Sequence, residues 1–109
     1  MTQTLKCLAQ LVPTANTLTD LYVVPAATQT AVSSFVIFNS NSSSINFLMS
    51  VARGGAADMF PAQYILNQPI DGYDSFVGTI GMSLNTTDVV RVQSDTAHVA
   101  FSLFGTENT

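Results

Sequence analysis

Residues 31–52 read AVSSFVIFNSNSSSINFLMSVA, two apolar runs on either side of a turn of small polar residues. In the second run Ile45, Phe47, Met49 and Val51 alternate with Asn46 and Ser50. Successive side chains of a strand point to opposite faces, so this period of two is that of a strand with one face in a core. The first run carries Phe35, Val36, Ile37 and Phe38 without a polar break. A short unbroken run rich in β-branched and aromatic residues predicts a strand in the middle of a sandwich, apolar on both faces. Ser40–Ser44 between them is turn chemistry, because short polar side chains bond to nearby backbone. Ile45–Ala52 is therefore expected to be the hairpin partner of Ala31–Asn39.

The same reading extends in both directions. Leu5–Val12 predicts a first strand with Leu5, Cys7, Ala9 and Leu11 on one face, stopped by Pro13. Leu18–Val24 predicts a second, closed by Pro25. Downstream, Arg53-Gly54-Gly55 opens a longer loop through Met59, Phe60 and Pro61. Gln63–Leu66 is a short strand, Gln68–Gly72 a turn, and Tyr73–Ile80 a strand weakened at Gly78. Gly81–Thr87 links onward to a closing hairpin, Val89–Gln93 and Ala97–Phe104. In its last strand Val99, Phe101 and Leu103 alternate with His98, Ala100 and Ser102. The expected core is Phe35, Val36, Ile37, Phe47, Val99, Phe101 and Leu103. No stretch holds a helical period. The fold class is all-β: a single antiparallel β-sandwich, jelly-roll-like, of about eight strands, with residues 1–109 as one domain. A small barrel is the alternative.

Composition narrows the function. Of the 109 residues 47% are hydrophobic and only 9% charged, against roughly 25% in an ordinary soluble domain. Ser, Thr, Asn and Gln must supply the wet surface, and weak charge leaves little repulsion between copies. That fits a subunit of an assembly, and also a glycan-binding domain. Lys6, Arg53 and Arg91 form no basic stripe and the net charge is −4, which argues against nucleic acid and anionic membranes as partners. No apolar run approaches the ~20 residues of a membrane span. Met1–Gln10 lacks the pattern of a signal peptide, so synthesis in a reducing cytoplasm is expected.

Few residues could run a reaction. Cys7 on an apolar strand face reads as a small hydrophobe rather than a nucleophile. His98 is the lone histidine, too few for a metal site, and faces solvent or an interface. Asp71 and Asp74 flank Gly72-Tyr73 as a turn, and Asp88 and Asp95 sit at turns as well. Arg91, inside a strand, is expected to pair with an Asp of an adjacent strand or a neighbouring subunit. Gly54-Gly55 lacks the Lys-Ser/Thr of a phosphate loop and reads as a flexible loop start. Tyr22, Tyr64 and Tyr73 could stack on sugars, or simply pack in strands. The expectation is a non-enzymatic protein with no cofactor and no metal.

Several segments, taken in order, carry a resemblance: Leu21-Tyr22-Val23-Val24-Pro25-Ala26, Ser34–Asn39, Asp74-Ser75-Phe76, Gly81-Met82-Ser83-Leu84, Asp88–Val92 and Val99–Gly105. In these the chain resembles a set of small proteins encoded in tailed-bacteriophage genomes and described as virion or tail-region proteins. The resemblance runs from about Leu11 to the C-terminus and brings no catalytic residues with it. It implies a virion structural protein, a capsid cement or decoration subunit or a neck, tail or baseplate component, made in the host cytoplasm. Its partners would be capsid, neck or tail subunits and further copies of itself in a homo-oligomer. The chain departs from that set in its Ser-rich turn and its Phe60-Pro61 loop. Ser42, Ser43, Arg53, Gly54, Gly55, Met59, Phe60 and Pro61 are accordingly the assembly-contact candidates, with the N-terminal strand beside them. A carbohydrate-binding module aiding host adsorption is the alternative.

Overall fold

The computed structural model describes residues 2–56, 63–79 and 81–109. Its elements are β1 (Gln3–Leu11), β2 (Thr19–Val23), β3 (Gln29–Asn39), β4 (Ile45–Ala52), a single 3-10 turn (Arg53–Gly55), β5 (Tyr64–Ile70), β6 (Ser75–Gly78), β7 (Met82–Leu84), β8 (Val89–Ser94) and β9 (Val99–Asn108). One sheet has the order β1-β9-β3-β6, with β7 also on β3; the other has the order β2-β8-β4-β5. All pairings are antiparallel. β6 lies against Phe35–Phe38 and β7 against Thr30–Val32, so the two form one interrupted edge strand. Counted that way, eight strands make two four-stranded sheets with jelly-roll connectivity. The expected all-β sandwich is the observed fold.

Neither expected hairpin exists. β3 and β4 belong to different sheets, and so do β8 and β9. β4 pairs with β5 and β8, while β9 lies between β1 and β3. Alternation says which side of a strand meets the core. It is satisfied equally by a neighbour in the same sheet and by a strand facing it across the roughly 10 Å between sheets.

Between the sheets Phe35, Ile37, Phe47, Met49, Val90, Val92, Val99, Phe101 and Leu103 are fully or almost fully buried. The Phe47 ring lies 6.3 Å from that of Phe101 and 5.5 Å from that of Phe76. Val36 is a correction. It is half-buried and, like Phe38, points to the outer face, because Phe35 and Ile37 take the inward positions of β3. No described element covers that outer side, so the run's unbroken apolarity does not mean burial on both faces.

β1 is a second correction. Its register against β9 shifts between Cys7 and Ala9. A β-bulge moves every residue before it to the other face. Ala9 and Leu11 therefore pack against the core, while Leu5 and Cys7 point outward and are exposed. Other boundaries moved too. β9 continues past Phe104 to Asn108, β5 runs through Pro69 to Ile70, and Met82–Leu84 is a strand rather than a link. Pro69 is tolerated because β5 is an edge strand.

The inward side of β9 ends in a polar cluster. The Tyr22 hydroxyl is 2.8 Å from that of Thr30 and donates to Glu107, whose other carboxylate oxygen lies 3.0 Å from Lys6 Nζ. Burial, then the Glu107 carboxylate, pushes the Tyr22 phenol up to about 12. The Tyr22 hydrogen bond, then Lys6, holds Glu107 below the ordinary carboxylate range. The depressed carboxyl contributes stability above its unfolded pKa that is lost as pH falls through the folded value. The raised phenol contributes stability below about 10 that is lost as pH rises from about 10 to about 12. Urea titrations across pH should show both limbs. Tyr22→Phe should remove the alkaline one and weaken the acid one, and an unchanged profile would exclude the cluster as their source.

Candidate assembly surfaces

The contact candidates fall at opposite ends of the sandwich. Ser42 and Ser43 lie in the turn before β4, and Arg53, Gly54 and Gly55 follow its other end. An eight-residue strand at roughly 3.3 Å per residue puts about 23 Å between them. They cannot form one patch. Met59, Phe60 and Pro61 lie outside the described residues.

At the first end, three turns are joined by an amide pair. Asn39 is fully buried at an inward position of β3. Its Nδ2 lies 2.9 Å from the carbonyl oxygen of Ser43, 3.2 Å from that of Ile70 and 3.1 Å from that of Asp71. Its Oδ1 accepts from the Asn41 backbone N–H and side-chain amide at 2.9 and 3.1 Å. Asn41 Nδ2 then donates to the Ala97 carbonyl at 2.8 Å. The turns at 40–44, 71–74 and 95–98 are thereby one connected rim. Gly72 allows the closest approach: a Cβ there would sit 2.2 Å from the Ser42 carbonyl oxygen. Asp71 and Asp74 belong to this rim as turn residues, Asp74 accepting from the Ser75 N–H at 2.8 Å. His98 is exposed in the third turn, and its carbonyl accepts from Ser40. Sequence reasoning missed Asn39 and Asn41. The signal was a polar residue continuing the inward series Phe35, Ile37, Asn39.

At the other end the 3-10 turn is anchored rather than flexible, a further correction. Gly54 and Gly55 have φ of 62° and 73°, the left-handed region that favours glycine. Asp88 accepts from the Gly54 N–H at 2.9 Å and, through its other oxygen, from the Asn85 N–H at 3.0 Å. Arg91 pairs with Asp20 across β8 and β2 at 2.9 Å and donates to the carbonyls of Ala56 and Gly55. The adjacent-strand Asp expected for Arg91 is therefore Asp20. The 53–56 segment folds over the outer side of the second sheet, where Ser50, Ala52 and Val89 are buried. Arg53 itself is exposed.

The outer face of the first sheet differs. Cross-strand register sets Cys7 beside Phe104 and Ser34, then Gln10 beside Ser102, Val36 and Val77, then Ala100 beside Phe38 and Ser75. Leu5 is 84% exposed, Val77 61% and Phe38 40%. No charged residue among the described ones lies on this face. Lys6 and Glu107 point inward, Asp20 and Arg91 belong to the second sheet, and the other described charges sit in turns. A cavity of about 350 Å³ opens where β1 ends, lined by Leu11, Val12, Ala100 and Ser102 among others.

The tyrosines are not brought together. Tyr22 is buried, Tyr64 starts β5 at the end near the 3-10 turn, and Tyr73 is at the opposite rim. Among the described residues no group of His, Cys, Asp and Glu could hold a metal ion, and no helix is long and apolar enough to cross a membrane. No protein-family model matches the chain, and no curated protein matches it.

Proposed function

We propose that this chain is a non-enzymatic structural subunit of a tailed-phage virion, external on the particle and bound to neighbouring capsid, neck or tail proteins. The observation that carries the reading is the open outer face of the first sheet, uncharged among the described residues and mixing exposed apolar side chains with neutral polar ones over several strands, on a chain with only 9% charged residues. Such a face favours association over solvation. The resemblance to small phage virion proteins supports the same reading, and jelly rolls serve as shell-forming domains, although fold alone does not fix function. Cement-type binding works by many modest contacts acting together, so avidity sets retention. The test is copy number in purified particles, by quantitative mass spectrometry against the major capsid protein. Copies in proportion to the capsid lattice are expected for cement. A small fixed number would put it on the neck, tail or baseplate. Absence from particles overturns the proposal.

One observation favours a second reading, a carbohydrate-binding module aiding host adsorption. Tyr73 stands 69% exposed at the rim, held by its N–H to the Asn41 carbonyl at 3.0 Å. An exposed ring beside amides and carboxylates is a sugar platform. Tyr73→Ala would then abolish glycan binding with the melting temperature retained. A glycan array without hits sinks this reading.

A further inference from the structure

We propose that the outer face of the β1-β9-β3-β6 sheet is the contact through which two copies of this chain associate about a two-fold axis. The inference rests on the assembly reading only in treating the chain as an associating subunit. It deepens that reading by naming the partner of one face.

Charge selects the occupant. The chain carries a net charge of −4, and its described charges sit in turns, on the second sheet or on the inward side of the first. No charged residue among the described ones lies on this face. A charged partner would find no counter-charge here, whereas a copy meets no like charge in any orientation. The polar groups on the face are of the same kind. Ser34, Ser102 and Gln10 can each both donate and accept, so any of them can meet any other across a two-fold, which two Lys or two Asp cannot do. An isologous contact requires that self-complementarity.

Area fits as well. Four strands about 4.8 Å apart, and β3 with its eleven residues at roughly 3.3 Å each, give a projected face of roughly 600 Å². Side-chain relief brings this near the roughly 800 Å² per partner of a standard interface. The opposite face offers less, because the 53–56 segment and the Arg91–Asp20 pair occupy it.

The test is sedimentation of the purified full chain over about 5–500 µM, the regime of an interface at the low end of standard size. A monomer–dimer equilibrium is expected. Replacing Phe38→Lys and Val77→Lys together would bury unpaired ammonium groups in an uncharged contact and should raise the dimer Kd at least about tenfold. Both side chains lie outside the core, and circular dichroism with a melting curve checks the fold. Val23→Lys, an equally exposed change on β2, should leave the equilibrium as it is. A monomer at every concentration overturns the proposal. So does a dimer indifferent to the double change, or a trimer, which an isologous patch does not form. None of these results bears on particle incorporation, so the virion reading stands or falls separately.

Discussion

Phe101→Ala should destabilise the fold by about 3–5 kcal/mol, read as a fall in the urea midpoint at nearly constant slope. Phe101 is fully buried in the first half of β9, the strand bonded on both sides, to β1 and to β3. Its ring meets Phe47 of the other sheet edge-on, so truncation leaves a void spanning both layers. The Phe47 ring also packs 5.5 Å from that of Phe76, which limits its collapse into the space. A domain of this size has a total stability of about 5–15 kcal/mol, so the change takes a large share of it. A loss below about 1 kcal/mol would mean that β9 presents its other face to the core.

Asn39→Ala should cost about 3 kcal/mol although it removes no apolar surface. Its amide serves the carbonyls of Ser43, Ile70 and Asp71 and accepts both N–H groups of Asn41. Each buried group left without a partner costs about 1–3 kcal/mol, and those nearest the rim can recover water. Asn39→Asp should be worse, since a carboxylate would face three carbonyl oxygens in place of a donor. Hydrogen exchange should report the loss locally, with protection falling in the turns at 40–44, 71–74 and 95–98 before it falls in β9. Unchanged exchange there together with a small loss would show that the rim is held by backbone contacts such as Tyr73 N–H to Asn41 O.

Much of the fold was legible from local pattern. The alternation in Ile45–Val51 and Val99–Leu103 identified which residues meet the core, since period two maps directly onto the pleat. Leu5 and Cys7 were misassigned because a bulge of one residue leaves no compositional trace and inverts the face of all that precedes it. Arg91 was recognisable as a charge needing a partner, but its choice of Asp20 depended on which strand lay beside β8. The contact candidates were drawn from turn composition. Composition does not reveal that Ser42 and Gly54 stand at opposite ends of β4, nor that the 53–56 segment is bound to its own sheet by Arg91 and Asp88.

By itself the sequence determined that this chain is an all-β sandwich with a core of inward Phe, Ile, Val and Leu, because apolar content and the strand period are local properties of each segment. Only the tertiary structure decided which strands pair, that β3 and β4 face each other across the core rather than side by side, and that Val36, Phe38 and Val77 share an open uncharged face. Pairing and facing depend on residues far apart in the chain, whose preferences are satisfied jointly by the whole sandwich and by no segment alone.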